Sequence, residues 1–305
     1  RAWGTGSGAA DWSAFGPLAF GGGDNMYFED NTYTNAGGYI ISDCDQGGRY
    51  VYRYNDISAS RDLQPVFDYH GGRSSTGLYS CFSGEIYGNK INMNNHLTYL
   101  LALRGGRALA FYNLLNEAKG ALNVRVYKDS GCPPVQNYYD QLINNSYFWN
   151  NRQSMSGGLL DATITGDTCS SNPIIENSSF WSDASSFNGT VGIGAGPLTS
   201  RPVTCTTGVG YWATNQDVNS VSSRNVGTHP AEPISGILYR CVASNIWSAY
   251  YTPYAYPHPL RNEGGNSVPL PPPVNPPVIP PVIPPTIGDF NNDGIVNSID
   301  LSLMT

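Results

Sequence analysis

The sequence predicts an all-β solenoid, in which short strands stack coil upon coil, and three observations carry this prediction. The composition favours strands and turns, one asparagine recurs along the chain, and a Gly-Gly-Arg triplet recurs with matching spacing. Of the 305 residues, 21 are Tyr and 35 are Gly, while only 13% are charged. This balance argues against disorder and long amphipathic helices, and it suits pleated strands joined by tight corners.

The repeated unit places an asparagine after a short aromatic or apolar stretch. The aligned positions are Asn31, Asn55, Asn89, Asn113 and, in a looser copy, Asn150, at separations of 24, 34, 24 and 37 residues. Gly-Gly-Arg occurs at 47–49, 71–73 and 105–107, so its arginines are 24 and 34 residues apart. We interpret the longer step as the same unit with an insertion.

A unit of about 24 residues is the length expected for one coil of a three-sided parallel β-helix. Stacked coils would lie ~4.8 Å apart, and each strand would bond to the coils above and below. About eight such coils fit into residues 1–200. The recurring asparagine can donate and accept hydrogen bonds along the stack and can adopt a left-handed corner, whereas a plain surface turn is the alternative.

Six cysteines are spread through the chain without a Cys-x-x-Cys pair or a Cys/His cluster, which disfavours a structural zinc site. An even number in a strand-rich chain fits disulfides formed in an oxidising compartment. Six cysteines allow ~15 pairings. Among them we expect Cys205–Cys241, which flanks a Tyr/Trp-rich segment, and Cys44–Cys81. Six buried free thiols are the alternative.

After residue 200 the repeat stops, and residues 201–262 are rich in Tyr, Trp and Pro. A solenoid needs a cap because its last coil exposes an unpaired edge, so we expect these residues to form a capping module. The alternative is an aromatic platform that stacks sugars on Trp212, Trp247 or Tyr251.

The asparagine-marked coils, the Gly-Gly-Arg triplets and the closing segment 208–260 together resemble bacterial right-handed parallel β-helix repeat proteins. Those proteins are similar in architecture to pectate lyases and phage tailspikes, and the resemblance covers residues 20–260. It implies a right-handed parallel β-helix over residues 1–200. It does not imply one activity, because this architecture hosts lyases, hydrolases, adhesins and inert stalks.

Residues 263–287 are predicted to be a linker, because Pro-Pro-Val-Ile repeats within 268–287 and favours polyproline II. The apolar Val and Ile side chains are unusual for a solvated spacer, so we expect this segment to lie against another surface. This favours self-association into a fibre through the Pro-rich segment, or attachment to a cell-surface anchor.

Residues 288–305 contain the clearest ligand motif of the chain. Its spacing places oxygen ligands at loop positions 1, 3, 5, 9 and 12 and a backbone carbonyl at position 7, as Ca²⁺ requires. The predicted Ca²⁺ ligands are Asp289, Asn291, Asp293, Ile295, Asn297 and Asp300. The motif resembles part of a dockerin, a module with two such loops, and a bare Asn/Asp turn is the alternative.

The candidate catalytic residues lie in the early coils and their insertions. They are Asp43, Asp45, Asp68, His70 and Arg73, with Arg104 and Arg107 as further candidates. A polysaccharide lyase needs a cation or arginine to neutralise a uronate and a base to take the C5 proton; an inverting hydrolase needs two carboxylates ~6.5–9.5 Å apart. Asp43 and Asp45 could hold Ca²⁺, and Arg73 or Arg104 could be the base. In the alternative, the arginines serve every coil alike and the carboxylates only cap turns.

The charge and hydropathy of the chain exclude two classes of partner. A net charge of −7 and a pI near 5.0 disfavour nucleic acid, and no apolar stretch reaches the ~20 residues that span a membrane. From the cysteines, the resemblance to bacterial β-helix proteins and the C-terminal spacer with its calcium loop, we expect an extracellular or cell-surface protein. The favoured function is a surface or fibre-forming structural protein that can bind glycans, and the alternative is a secreted polysaccharide lyase or glycoside hydrolase.

Overall fold

A computed structural model describes residues 20–36, 41–44, 47–59, 65–71, 80–92, 99–116, 124–126, 142–153, 157–166, 173–216, 227–230 and 233–261. The chain divides into two units, Arg1–His258 and Pro259–Thr305. All the strands below belong to the first unit. The predicted linker and calcium loop lie outside the described residues. Within the described part, no helix is long and apolar enough to cross a membrane.

The described chain is nearly all β, and most of its strands form three stacked parallel sheets. Strands are numbered in chain order. The first sheet contains β1 (Met26–Glu29), β4 (Arg49–Arg53), β7 (Ser83–Tyr87), β10 (Ala108–Phe111), β13 (Ser146–Trp149) and β16 (Phe180–Ser182). The second contains β2 (Thr32–Ala36), β5 (Asp56–Ala59), β8 (Lys90–Asn92), β11 (Leu114–Asn116) and β14 (Arg152–Gln153). The third contains β3 (Ser42–Cys44), β6 (Phe67–Tyr69), β9 (Leu101–Leu103), β12 (Val124–Val126) and β15 (Ala162–Ile164).

The chain visits these sheets in rotation, so that every third strand returns to the same sheet and lies parallel to its predecessor. The all-β prediction is confirmed, as is the expectation of stacked parallel strands. A fourth sheet follows, made of β17 (Ile193–Gly196), β18 (Gly210–Ala213), β19 (Ile237–Ala243) and β20 (Ile246–Tyr251). Its first pair is parallel, and its other two pairs are antiparallel.

Alternate residues of the first sheet enter two different hydrophobic cores, because successive side chains of a strand point to opposite faces. The inner core lies on the face shared with the second and third sheets. It includes the register-aligned column Tyr52, Ile86, Ala110 and Phe148, together with Phe67, Tyr69, Leu101 and Leu115. Such apolar columns form because the same strand position recurs in each turn of the rotation.

The outer core lies on the opposite face of the first sheet, beneath the fourth sheet. It includes Tyr54, Tyr87, Leu109, Phe111, Tyr147, Trp149, Trp181, Trp212, Leu238 and Tyr251. The Phe111 ring stacks on Trp149 at 4.2 Å, and both rings contact Trp212 of β18. The predicted capping module thus covers one face of the first sheet, from Tyr27 on β1 to Trp181 on β16. Closure of an end edge stays a prediction.

An asparagine ladder runs along the corner between the first and second sheets. Its members are Asn31, Asn55, Asn89, Asn113 and Asn151. In each step the backbone N–H and the side-chain amide of one asparagine donate to Oδ1 of the next, at 2.8–3.3 Å. The predicted bonding along the stack is therefore confirmed for four of the five aligned residues: Asn31 donates, and Asn55, Asn89 and Asn113 both donate and accept.

Two details of the ladder prediction are wrong. The fifth member is Asn151, not Asn150, because Phe111 pairs with Trp149 and the ladder position lies two residues after each of them. The left-handed corner residue is the one before each ladder asparagine, with φ between 52° and 64° at Asp30, Tyr54, Gly88, Tyr112 and Asn150. The ladder asparagine itself is left free to bond along the stack.

Two disulfides lie in the described residues, and both were expected. Cys44–Cys81 belongs to the inner core and Cys205–Cys241 to the outer core. Free thiols at these four positions are excluded. Cys132 and Cys169 lie outside the described residues.

Candidate functional site

Charged side chains from three successive strands meet on the third sheet. Asp43 on β3 and Asp68 on β6 are register partners, so their side chains leave neighbouring strands at the same level. His70 follows β6, and Arg104 follows β9 at the corresponding position, since Tyr69 pairs with Leu103. This cluster, Asp43, Asp68, His70 and Arg104, is the candidate site.

The backbone beneath the cluster is held by hydrogen bonds across the sheet. The His70 N–H donates to the Cys44 carbonyl at 2.9 Å, and the His70 carbonyl accepts from the Cys81 N–H at 3.0 Å. Because Cys44 and Cys81 are also joined by a disulfide, His70 is fixed on both sides. The Arg104 N–H donates to the Tyr69 carbonyl at 2.8 Å and fixes the arginine in the same way.

The side chains of the cluster form a closely packed ionic group. Arg104 donates to both oxygens of Asp68, from Nε at 2.9 Å and from a terminal nitrogen at 2.5 Å. The same terminal nitrogen contacts His70 Nε2. His70 Nε2 also lies 3.1 Å from Asp43 Oδ1 and 3.3 Å from Asp68 Oδ2. The Asp43 side chain is 50% exposed, whereas those of Asp68, His70 and Arg104 are 10–12% exposed.

His70 Nε2 has partners for either protonation state. Without a proton, this nitrogen accepts a hydrogen bond from Arg104; with a proton, it donates to Asp43 or Asp68. Gain or loss of one proton therefore changes which of its neighbours His70 Nε2 can bond. Such an arrangement can exchange a proton with the half-exposed Asp43, which is the chemistry required of a general acid–base pair.

A metal ion could in principle be held by Asp43, Asp68 and His70, whose ligand atoms all lie within 4.8 Å of one another. However, the Arg104 guanidinium already contacts Asp68 and His70. A divalent ion placed between them would meet this fixed positive charge at close range. The donor set therefore fits an ion-paired acid–base cluster better than a metal centre.

The structure brings together only some of the predicted catalytic residues. Asp43, Asp68, His70 and Arg104 converge as described, while Asp45 and Arg73 lie outside the described residues. Arg107 lies elsewhere, at the start of β10, where its Nε donates to Asn144 Oδ1 at 2.9 Å.

Arg49 and Arg107, two of the Gly-Gly-Arg arginines, lie at the same level of the first sheet, two strands apart. The register aligns Arg49 with Ser83 and Ser83 with Arg107, because Ala108 pairs with Gly84. Both arginines lie over the Phe82 ring, at 4.4 and 5.4 Å. The position between them on β7 is Ser83, so not every turn carries an arginine at this level; Arg73 lies outside the described residues. A structural role is thus supported for Arg49 and Arg107.

The aromatic sugar platform that was the alternative for residues 201–262 is wrong for two of its three residues. Trp212 is fully buried and Tyr251 is 3% exposed, because both pack into the outer core. Trp247 is partly buried, and its indole N–H donates to the Pro202 carbonyl at 2.8 Å.

Sequence analysis missed two buried charged residues on the outer face of the first sheet. Arg53 is ion-paired with Glu29 at 2.6 Å and donates to the Tyr87 hydroxyl. Burial by itself lowers the pKa of Arg53, but Tyr87 and Glu29 outweigh it and the pKa is raised. Glu85 is also buried, and desolvation raises its pKa to about 7. An outward strand position gave no signal of burial, because the fourth sheet that covers it is distant in sequence.

Comparison with known proteins finds no matching family model, no similar curated protein and no similar solved structure. The function is therefore argued from the cluster and the fold alone.

Proposed function

We propose that the chain is a secreted right-handed parallel β-helix protein that cleaves an acidic polysaccharide by β-elimination at the Asp43–Asp68–His70–Arg104 cluster. The observation that carries the proposal is the convergence of four chemistry-bearing side chains from three strands around His70 Nε2. Dispersal of these residues around the sheets would have favoured a purely structural role.

The β-helix part of the proposal draws on the sheet order. Strands return to each sheet at every third position, and the asparagine ladder joins five successive turns. A chain that winds through three parallel sheets in this way can expose one long face, as binding of a polymer requires. Disulfides at Cys44–Cys81 and Cys205–Cys241 support an extracellular location, because such bonds persist in oxidising compartments.

Two features of the carboxylates support elimination rather than hydrolysis. The ligand oxygens of Asp43 and Asp68 lie within 4.8 Å, which is shorter than the ~6.5–9.5 Å that an inverting hydrolase needs for its water. Both oxygens of Asp68 are also occupied by Arg104, so Asp68 is poorly placed to act as a second acid or nucleophile. One exposed proton acceptor remains, and β-elimination requires one base.

In the proposed reaction, Asp43 touches the substrate and takes the proton from C5 of a uronate. The electron pair left on C5 forms the C4–C5 double bond, the C4–oxygen bond breaks, and the departing oxygen takes a proton from water. His70, 3.1 Å from Asp43, shares the abstracted proton. Arg104 supplies the positive charge of the site, and with Asp68 it positions His70.

The test is incubation of the purified chain with polygalacturonate, alginate and glucuronate-containing polymers, monitoring ultraviolet absorbance of the unsaturated product. We expect product from at least one polymer and a fall of at least ~100-fold in kcat for Asp43→Asn, the range for loss of an acid–base group. Arg104→Lys should retain more activity than Arg104→Met and should shift the pH profile. Asp56→Asn, on the second sheet, is the control and should be unaffected.

Two outcomes would refute the proposal: a folded wild-type chain that releases no unsaturated product from any of these polymers, or an Asp43→Asn variant as active as the Asp56→Asn control. Circular dichroism and melting curves of each variant show that it is folded.

A second candidate, a surface or fibre-forming structural protein, is favoured by a different observation. The asparagine ladder and the aromatic stacks of both cores run along the stacked sheets irrespective of any site. Such continuous bonding suits a rigid stalk. Fibre formation through residues 263–287 predicts concentration-dependent filaments by electron microscopy that are lost when this segment is deleted.

Calcium binding by residues 289–300 also remains part of the proposal. Asp289→Ala combined with Asp293→Ala should abolish any rise in melting temperature on adding Ca²⁺. Identical melting curves of the wild-type chain with Ca²⁺ and with chelator would contradict the assignment.

A further inference from the structure

Two segments that lie far apart in sequence meet on the outer face of the first sheet, over Glu85. The N-terminal segment is Phe20–Asn25, and the C-terminal strap is Tyr251–His258. The Gly21 N–H donates to Glu85 Oε1 at 2.7 Å and Asn25 Nδ2 donates to the same oxygen at 3.3 Å. The Tyr251 hydroxyl donates to Oε2 at 2.8 Å. One buried carboxylate on β7 thus holds both segments.

The two segments also pack tightly against each other. Gly21 has φ +70°, and a Cβ built on it would lie 2.2 Å from the Thr252 carbonyl oxygen. A Cβ on Gly23 would lie 2.7 Å from the Tyr254 hydroxyl oxygen. Only glycine permits this approach at Gly21, because its backbone is left-handed and its Cβ position is occupied.

Further along, the strap is held by three other charged residues. Arg53 donates to the carbonyls of Tyr254 and Ala255 at 2.7 and 2.8 Å. The His258 N–H donates to Glu29 at 2.8 Å. The Tyr256 hydroxyl donates to Asp30 at 2.7 Å. These polar groups therefore hold the strap along its length, beside ring contacts of the strap with Tyr27 and Tyr54, and Glu85 lies at its beginning.

We infer that Glu85 is a protonation-controlled latch: its neutral form holds the strap and the N-terminal segment on the first sheet, and its ionisation loosens them. The inference is independent of the polysaccharide-cleaving activity, because none of these residues belongs to the cluster on the third sheet.

The geometry accommodates both protonation states of Glu85. The ionised carboxylate accepts from all three donors. The protonated carboxyl keeps the two bonds at Oε1 and donates from Oε2 to the Tyr251 hydroxyl, which can reverse its role. No ion pair of Glu85 occurs among the described residues, and its hydrogen bonds and the nearby Arg53 do not outweigh the loss of water that its ionised form suffers.

The direction of the pH effect follows from the pKa of Glu85. Burial raises this pKa from 4.5 to about 7, so the closed state binds the proton more tightly than an open, hydrated state. Closure is therefore most favourable below the ordinary pKa and weakens as pH rises toward 7 and above. The expected change in the closed-to-open ratio between pH 5.5 and 8.5 is roughly 30-fold.

The other titratable groups that face Glu85 keep their charge over this range. Tyr251 of the strap and Tyr27, Tyr69 and Tyr87 of the sheets all have raised pKa values because they are buried, and the pKa of Arg53 is also raised. Further along the strap, burial lowers the pKa of His258, so its protonation acts in the opposite direction, at the acid end. Glu29 and Asp30 bind other strap residues, His258 and Tyr256.

The test is hydrogen–deuterium exchange of the full chain at pH 5.5, 7 and 8.5, corrected for the intrinsic exchange rates. In the wild type, protection of residues 251–258 should fall about 30-fold across this range relative to Glu85→Gln, which stays neutral. Ladder amides such as that of Asn89 should not change. Glu176→Gln, at an exposed glutamate, is the matched control and should behave as the wild type.

Equal pH responses of the wild type and Glu85→Gln would overturn the inference, since His258 contributes alike to both. So would a parallel loss of protection at the ladder, which indicates global unfolding. If Glu85→Gln does not fold, the wild type alone decides: constant protection of residues 251–258 from pH 5.5 to 8.5 refutes the latch.

Discussion

The two faces of the first sheet carry two cores that differ in how they are closed. The inner core is enclosed by three parallel sheets, and the chain visits them in rotation. Each new strand therefore pairs with the strand that precedes it in its own sheet. The outer core is closed by one separate sheet and by the strap, which come from residues far away in sequence. The inner core is built from apolar side chains, whereas the segments that cover the outer core are also held by charged side chains.

This difference indicates which part opens first. The inner core is bonded across the sheets and by the asparagine ladder, whereas the outer core depends on side chains that bridge distant segments, such as Arg53 and Glu85. Local opening takes place where few strand bonds must break. We therefore expect the free energy of opening the fourth sheet and the strap to be smaller than the free energy of unfolding the three stacked sheets.

The largest expected effect is at the ladder. Asn89→Ala removes the acceptor of the Asn55 backbone and side-chain amides, and it leaves the Tyr52 carbonyl without its donor. Because these groups are buried, we expect a loss of about 3–6 kcal/mol in the free energy of unfolding, measured by denaturant titration. Asn116→Ala, which breaks one half-buried bond of 3.4 Å to Asn92, should cost under ~1 kcal/mol. Equal costs would contradict the ladder's role in the inner core.

The next effect compares the two disulfides, which enclose almost equal loops of 37 and 36 residues. Loop entropy alone gives each bond about 4 kcal/mol. Replacing Cys44 and Cys81 by alanine should lower the stability of the three stacked sheets. Replacing Cys205 and Cys241 should chiefly lower that of the fourth sheet, so that unfolding followed by tryptophan fluorescence precedes unfolding followed by circular dichroism. Coincident transitions in the second variant would show that the two cores unfold together.

A smaller effect is expected from matched leucines, one in each core. Leu101 of the inner core and Leu109 of the outer core are both fully buried. Leu→Ala should cost about 2–5 kcal/mol in either, with the higher value at Leu101, because three sheets cannot collapse around the cavity as readily as one covering sheet. Leu159→Ala, at a 40% exposed leucine, should cost less than both and serves as the control. A higher cost at Leu109 would reverse the ranking of the two cores.

The inner core was largely predictable from the sequence, and the outer core was not. The ladder requires an asparagine at the same height in every turn, so Asn31, Asn55, Asn89 and Asn113 carry a visible period. At residues 150 and 151 two asparagines are adjacent, and spacing alone could not decide which one joins the ladder. The strands of the fourth sheet carry no sequence repeat. Nothing in the sequence therefore indicated that this sheet packs on the first sheet.

The candidate site shows the same division. Asp43, Asp68 and His70 could be recognised as candidate catalytic residues because they are polar residues within or beside apolar stretches. Arg104 could be recognised because it directly follows the apolar stretch of β9. Their convergence depends on the strand register, which pairs Asp43 with Asp68 across a 25-residue separation. Arg53 and Glu85 escaped notice because an outward strand position normally holds polar residues in contact with water.

The smallest expected effect on stability is at the site itself, and it tests whether the cluster is independent of both cores. Asp43 is half-exposed and lies near a second carboxylate, Asp68, so Asp43→Asn removes one of two like charges and empties no cavity. We expect the free energy of unfolding to change by no more than ~0.5 kcal/mol, as for most surface substitutions. Asp68→Asn should cost more, because it leaves the buried Arg104 without its two-point partner. If thermal melts instead show Asp43→Asn to be as destabilising as Asp68→Asn, Asp43 is part of a structural group of ion pairs. The cluster on the third sheet would then stabilise the fold, as the Arg53–Glu29 ion pair does on the first sheet.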